Sequence, residues 1–125
     1  MAFSWPDVSV VIPHYNDPAS LERVVHAVRA QDYAGAVEIV VADDGSAEPP
    51  AIDGVRVVRQ ADEGFRAAAA RNLGARTAIE RGAKALIFLD ADCLASDALV
   101  PRYLAALAQR PDAVVAGPVT YMQEG

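Results

Sequence analysis

The chain has 125 residues and a formal net charge of −6, which leaves room for one domain and argues against a nucleic-acid partner. Hydrophobic residues make up 53% and charged residues 22%, the balance of an ordinary globular domain, and no segment approaches the roughly 20 apolar residues that span a bilayer. A single cysteine excludes an internal disulfide, and an N-terminus without basic and apolar signal regions favours a cytoplasmic location.

Short β-branched runs alternate with stretches of helical periodicity along the chain. The runs predict strands over residues 8–12, 37–42, 55–58, 85–89 and 113–119. The periodic stretches predict helices from Pro18, capped by Asp17, to near Gln31, from Glu63 to about Arg81, and from a cap at Ser96 or Asp97 to Pro111. Because strands alternate with helices, we expect crossover connections and a single α/β domain over residues 1–125, a three-layer α/β/α sandwich with a mostly parallel sheet.

Two details of these helices bear on their packing. The helix predicted from Glu63 is rich in alanine, which lets a helix approach a sheet closely. Pro101 falls near the first turns of the last helix, where it predicts a kinked or delayed start.

The alternation of strands and helices also occurs in dinucleotide-binding folds, and the sequence argues against that class. Residues 13–18, which follow the first strand, contain no glycine, so the glycine-rich turn of a dinucleotide site cannot form there. No glycine is followed by lysine and then serine or threonine, which also excludes a P-loop.

The apolar run 85–89 ends in two carboxylates one residue apart, Asp90 and Asp92. Such a run suits a strand buried on both faces of a parallel sheet, and open α/β sheets bind ligands at the carboxyl ends of their strands. On an extended chain these two side chains share a face, so both can reach one hard cation or a cation-bound diphosphate. The alternative is a solvated turn or a helix cap. Cys93 has no histidine partner placed for it and is expected to be a neighbour of the site rather than a nucleophile.

Polar residues also follow the first two predicted strands: Pro13, His14, Tyr15 and Asn16 after the first, Asp43 and Asp44 after the second. Parallel strand ends meet at one edge, so these residues are expected near the two later acids. Tyr15 can stack on a base, and Asp43 or Asp44 can accept hydrogen bonds from a base or ribose. Arg66 and Arg71 can supply positive charge for a diphosphate. The plainer alternatives are a packing role for Tyr15, a simple turn at 43–46 and a solvated helix face for the arginines.

Four segments stand in a recognisable order: Val8-Ser-Val-Val-Ile-Pro-His-Tyr-Asn16, Glu38-Ile-Val-Val-Ala-Asp-Asp-Gly-Ser46, Gly64-Phe-Arg-Ala-Ala-Ala-Ala-Arg-Asn-Leu-Gly74 and Phe88-Leu-Asp-Ala-Asp92. Together they resemble family 2 glycosyltransferases of the GT-A fold, over nearly the whole chain. The resemblance implies a Rossmann-like half that binds a nucleotide-diphosphate-sugar and a divalent cation, Mn²⁺ or Mg²⁺.

The resemblance also implies roles for individual residues. By analogy with the family, Pro13 and Tyr15 line the base pocket, and Asp44 with Asp43 reads the base. Arg71 lies near the nucleotide and Asp90 near the ribose or sugar. Asp92 coordinates the metal, with Asp90 as a further candidate ligand. Asn16 and Arg66 complete the expected substrate-binding set.

The activity implied by the family is inverting transfer of a sugar to a hydroxyl acceptor, a single displacement in which a base removes the acceptor proton. In the family the general base and the acceptor-binding half lie well beyond the Asp-x-Asp, so both are expected beyond Gly125. The alternative is a nucleotide-sugar-binding or interaction module without chemistry. A uridine diphosphate sugar is the expected donor; guanosine and thymidine forms stay open, as do the sugar, the glycan or other acceptor, and a homodimer.

Overall fold

The computed structural model describes residues 7–93, 95–112 and 114. The strands there are β1 (Val8–His14), β2 (Val37–Asp43), β3 (Arg56–Arg59) and β4 (Ala85–Phe88), and the helices are α1 (Pro18–Arg29), α2 (Ala67–Glu80) and α3 (Leu99–Gln109). Among these described elements, no helix combines the length and apolar character needed to cross a membrane. The strand predicted over 113–119 lies outside the described residues, apart from residue 114.

The strands form one sheet in the order β3-β2-β1-β4, and each neighbouring pair is parallel. β1 pairs with β2 from Val8 opposite Val37 to His14 opposite Asp43. On its other side β1 pairs with β4 as far as Val11 opposite Phe88. Because all four strands run in one direction, their carboxyl ends lie at one edge. The acids that follow β2 and β4 therefore lie at the same edge of the sheet, as predicted.

Alternate residues of β1 face two different helix layers. Val8, Val10 and Ile12 belong to a core that includes side chains from α1 and α3. Val11 belongs to a second core with Ala70 and Ala78 of α2. Helices thus cover both faces of the sheet, which confirms the predicted α/β three-layer architecture.

The backbone of helix α2 at Gly74 lies close to side chains of the sheet. A Cβ atom added at Gly74 would lie 2.6 Å from Cγ1 of Val11 and 3.2 Å from Cβ of Ala42. These distances are below ordinary van der Waals contact, so only glycine fits at this point. The alanine-rich sequence of α2 therefore does bring the helix close to β1 and β2, as expected.

The predicted start of α2 and the predicted end of β4 differ from the structure by four residues and one residue respectively, each for a physical reason. α2 begins at Ala67 rather than Glu63, because Gly64 has a φ of +87°, a left-handed conformation that an α-helix excludes. β4 ends at Phe88, and a backbone hydrogen bond of 3.0 Å from the Cys93 N–H to the Asp90 carbonyl then closes a turn. A turn rather than an extended strand thus brings Asp90 and Asp92 together, which corrects the strand-periodicity argument.

The start of α3 also differs from the prediction. Neither predicted residue caps it; the N-cap position is Ala98, and Oε1 of Gln31 accepts the Val100 N–H at 2.8 Å. Pro101 lies in the first turn, where its missing N–H leaves no helical hydrogen bond unmade. The helix starts at Leu99, one or two residues later than the predicted caps imply, which agrees with the delayed start expected from Pro101. By contrast Asp17 caps α1 as predicted, accepting the Ser20 N–H at 3.3 Å.

Candidate functional site

Asp43 ends β2 as a fully buried carboxylate with four hydrogen-bond donors around it. Oδ1 lies 2.9 Å from Nδ1 of His14 and accepts the Ser46 hydroxyl at 2.6 Å. Oδ2 accepts the Ser46 N–H at 2.9 Å and Nε of Arg59 at 3.0 Å. Burial raises the pKa of this carboxyl, but the hydrogen bonds from Ser46, His14 and Arg59 outweigh burial and hold its pKa below the ordinary value. Asp43 is therefore an ionised group inside the protein at neutral pH.

Asp44 is buried beside it and is bonded to the segment that leads into α2. Its Oδ1 accepts Nε2 of Gln60 at 2.7 Å, and its Oδ2 accepts the backbone N–H of Arg66 at 2.9 Å. The guanidinium of Arg66 points elsewhere and pairs with Glu63 at 2.9 Å. Arg66 thus contacts the site through its backbone, while its charge is engaged at the surface.

Tyr15 follows β1 and stands half exposed at the same edge, next to the partly buried Pro13. Its hydroxyl donates to Oδ2 of Asp62 at 2.9 Å. This hydrogen bond, and then the negative charge of Asp62, raise the pKa of the Tyr15 phenol. The ring is consequently held at its hydroxyl end, while about half of the residue stays exposed to solvent.

Asn16 connects the ends of β1 and β2. Its φ of 48° is left-handed, a conformation that asparagine tolerates better than most residues. The Asn16 N–H donates to the Ser46 hydroxyl at 2.8 Å, and Oδ1 of Asn16 accepts the Ala47 N–H at 2.9 Å. The Asn16 side chain is therefore already used in joining the two loops.

A second cluster follows β4. Ligand atoms of Asp90, Asp92 and Cys93 all lie within 4.8 Å of one another. Nη2 of Arg71, on α2, pairs with Oδ1 of Asp90 at 2.8 Å, and both side chains are partly exposed. Within the described residues, the contact recorded for the Asp92 carboxylate is the Cys93 thiol at 3.7 Å. Asp92 is thus the more available of the two carboxylates.

The donor atoms of this second cluster suit a hard divalent cation. Carboxylate oxygens are the ligands that Mg²⁺ and Mn²⁺ prefer, whereas a thiol suits softer metals. Burial, then the charges of Asp92 and Asp90, raise the pKa of the Cys93 thiol, so it stays protonated at neutral pH. Two carboxylates are few ligands for a resident ion, but they fit a cation that also binds phosphate oxygens and water.

The structure divides the predicted site residues into two groups at one edge. Pro13, Tyr15, Asn16, Asp43, Asp44 and the backbone of Arg66 lie at the ends of β1 and β2. Arg71, Asp90 and Asp92 lie at the end of β4. No role was predicted from the sequence for the residues that connect the first group: His14, Ser46, Arg59, Gln60 and Asp62. One signal for His14 was present, since it continues the inward alternation of Val10 and Ile12.

The chain is similar in sequence to known glycosyltransferases. A family model described as Glycosyl transferase family 2 matches residues 9–125. The chain is 42% identical over 122 residues to validoxylamine A glucosyltransferase of Streptomyces hygroscopicus subsp. limoneus, covering 90% of the chain and 26% of that protein. It is 35% identical over 105 residues to an N-acetylglucosaminyltransferase of Mesorhizobium japonicum, covering 78% of the chain and 25% of that protein. The chain thus spans about a quarter of the length of these relatives.

Solved structures share the fold at lower identity. TarS of S. aureus superposes with a TM-score of 0.66 at 18% identity, covering 84% of this chain and 20% of TarS. A crystal structure of TarS residues 1–349 in complex with UDP superposes with a TM-score of 0.61 at 17% identity, covering 82% of this chain and 32% of that one.

Proposed function

This chain belongs to glycosyltransferase family 2, and on that premise we propose that it forms the donor-binding half of an inverting glycosyltransferase, with residues 1–125 as a partial GT-A nucleotide-sugar-binding domain. The donor is a nucleotide-diphosphate-sugar and the acceptor a hydroxyl group. UDP is the favoured nucleotide, because a structural neighbour was crystallised with UDP.

The base and ribose bind at the ends of β1 and β2. Support comes from Tyr15, an aromatic residue that is half exposed at this edge and whose hydroxyl bonds to Asp62, which holds the ring where a base could stack on it. Asp44 reads the base by exchanging its hydrogen bond from Gln60 for one from a base N–H, because a buried carboxylate keeps its acceptors satisfied. Asp43 contributes indirectly, since its four partners are all protein groups.

The diphosphate binds at the end of β4, where Arg71 pairs with Asp90 and Asp92 belongs to the same cluster. Arg71 offers a guanidinium that phosphate oxygens can share with Asp90. Asp92, with Asp90 as a further candidate, would hold Mn²⁺ or Mg²⁺. That cation, when bound, supplies positive charge against the leaving diphosphate.

The observation that carries this proposal is the meeting of two chemically different clusters at one edge of a parallel sheet. One offers an aromatic ring and a buried carboxylate acceptor, and the other offers accessible carboxylates beside an arginine. A nucleoside diphosphate needs both kinds of surface, and a parallel sheet binds such ligands at this edge.

A thermal-shift panel of UDP, GDP and TDP, each with and without Mn²⁺, tests the proposal. A ligand that binds only the native state stabilises it by about 2.7 kcal/mol at a hundred times its Kd. We expect UDP with Mn²⁺ to raise Tm most and either component alone to raise it less. A panel in which no nucleotide changes Tm at millimolar concentration would contradict a donor-binding role.

A further inference from the structure

His14 lies at the centre of the first cluster, where three parts of the chain meet. It is the last residue of β1 and is buried, opposite Asp43 in the sheet register. Its two ring nitrogens point to different elements. Nδ1 lies 2.9 Å from Oδ1 of Asp43 at the end of β2, and Nε2 lies 3.0 Å from the backbone nitrogen of Asp17 at the start of α1.

These two contacts fix the protonation of the ring. A backbone N–H can only donate, so Nε2 of His14 must accept from Asp17 and carries no proton. A carboxylate can only accept, so Nδ1 of His14 must donate to Asp43 and carries the proton. The hydrogen bonds with Asp17 and Asp43 therefore require the same neutral tautomer of His14, with the proton on Nδ1.

The imidazole acts on the proposed site through Asp43. The same Oδ1 that accepts from His14 also accepts the Ser46 hydroxyl at 2.6 Å, and that hydroxyl in turn accepts the Asn16 N–H at 2.8 Å. The main chain adds a parallel contact, because the His14 carbonyl accepts the Asp44 N–H at 2.9 Å. Turning the Asp43 carboxylate would therefore shift the loops that carry Asn16 and Asp44.

We propose that His14 is a positioning residue of the donor site, acting as a neutral Nδ1–H imidazole that joins the ends of β1 and β2 to the start of α1. In this role His14 does not itself contact the nucleotide-sugar. It holds Asp43 in the orientation that sets the Asn16 and Asp44 loops for the nucleotide. The tautomer follows from the two hydrogen bonds of the His14 ring alone, whereas the positioning role rests on the proposed function.

Imidazole ¹⁵N NMR of the 125-residue chain tests the tautomer without any ligand. The sequence has two histidines, and the exposed His26 serves for assignment through His26→Gln. We expect Nδ1 of His14 to give the signal of a proton-bearing nitrogen and Nε2 that of a bare one. The reverse pattern at His14 would overturn the proposal.

Two substitutions separate the two hydrogen bonds of the ring. His14→Asn puts an amide near the position of Nδ1 and keeps a donor for Asp43, while His14→Gln reaches toward the position of Nε2 and loses that donor. UDP titrations by calorimetry in Mn²⁺ should give a Kd within about threefold of wild type for His14→Asn. They should give a Kd about tenfold weaker for His14→Gln, since a hydrogen bond to a charged group is lost.

The controls distinguish positioning from stability and from the proposed function. Val28→Ala removes buried volume on α1 away from the sheet edge, so it lowers Tm without weakening UDP binding. Folded His14→Gln that binds UDP as tightly as wild type would overturn the positioning role. Wild type that shows the Nδ1–H tautomer but binds no UDP would instead contradict the donor-binding function and, with it, the role assigned to His14. If His14→Gln does not fold, a tenfold loss in folded His14→Asn would overturn the role as well.

Discussion

Single residues at the sheet edge are held mainly by partners from distant loops. Tyr15 donates its phenol hydrogen to Asp62, and Asp44 receives hydrogen bonds from Gln60 and from the Arg66 backbone. These contacts link the end of β1 and the end of β2 to the segment before α2. Three loops, rather than two strand ends alone, therefore form the base-binding end of the proposed site.

Replacing Asp62 by asparagine should lower the pKa of the Tyr15 phenol. The hydrogen bond to Asp62 and the charge of Asp62 both favour the protonated phenol, so the folded protein has a Tyr15 pKa above the ordinary 10.0. The contact is intact below that ordinary value and is lost as pH rises through the raised pKa. NMR titration of the Tyr15 ring, assigned with Tyr15→Phe, should show the phenolate forming at lower pH in Asp62→Asn.

Asp53→Asn is the matched control for this experiment, because Asp53 precedes β3 and lies toward the opposite edge of the sheet. Its Tyr15 titration should follow that of wild type. Equal titrations in wild type and Asp62→Asn would show that Asp62 does not stabilise the phenol.

The candidate residues could be predicted from the sequence because strand ends are visible in it, whereas their hydrogen-bond partners could not. Asp43 and Asp44 directly follow a β-branched run, so their position at the edge follows from the parallel sheet. Their partners lie 16 residues further on, Arg59 as the last residue of β3 and Gln60 directly after it, and no local pattern specifies the register of that strand. The burial of Asp43 was missed for the same reason.

At the level of elements, the close packing of α2 against the sheet restricts which residues its buried face can carry. Its hydrophobic periodicity is weak because small residues, not large ones, face the sheet: Ala70, Gly74 and Ala78 are its buried positions. Each small side chain on this face makes few packing contacts. The packing of α2 on the sheet depends instead on close approach of the helix backbone to Val11 and Ala42.

Gly74→Ala should destabilise the fold even though alanine is the better helix former. The added methyl would lie 2.6 Å from Cγ1 of Val11, inside a packed core, and overpacking of this kind costs about 1–3 kcal/mol. The gain in helix propensity is about 1 kcal/mol, so we expect a net loss of up to about 2 kcal/mol in urea unfolding.

Val11→Ala supplies the control for this prediction. It removes Cγ1 of Val11, the atom nearest to the new Cβ, so the double variant Gly74→Ala/Val11→Ala should lose less stability than the sum of the two single changes. Strictly additive losses would mean that Val11 is not what excludes a side chain at position 74.

Helix and strand identities followed from the sequence, while the ends of elements depended on distant contacts. The periodicity of α1 and its Asp17 cap are local, and both predictions are confirmed. The start of α3 is capped by Gln31 from 69 residues away, a contact that no local pattern contains. The start of α2 depends on the left-handed Gly64, whose conformation the sequence permits but does not require.

The whole molecule has a net charge of −6, and its candidate site is itself acidic. Within the described residues, Arg59, Arg66 and Arg71 lie near this edge, and each of these three already pairs with a carboxylate. Asp90 is paired with Arg71, so a diphosphate approaching the end of β4 meets the charge of Asp92, which makes no salt bridge within the described residues. We therefore propose that a diphosphate binds there together with an added cation, with Asp92 as the carboxylate most free to hold that cation.

Titration of UDP into wild type and Asp92→Asn, each with and without Mn²⁺, tests this account most directly. Asparagine keeps the size of the side chain but removes the charge that a hard cation requires, and Asp92 is exposed at the rim, so the variant should fold. We predict that Mn²⁺ strengthens UDP binding at least tenfold in wild type and in the control Asp53→Asn, and has no such effect in Asp92→Asn. Equal UDP affinity of wild type and folded Asp92→Asn in Mn²⁺ would contradict the metal-assisted donor site.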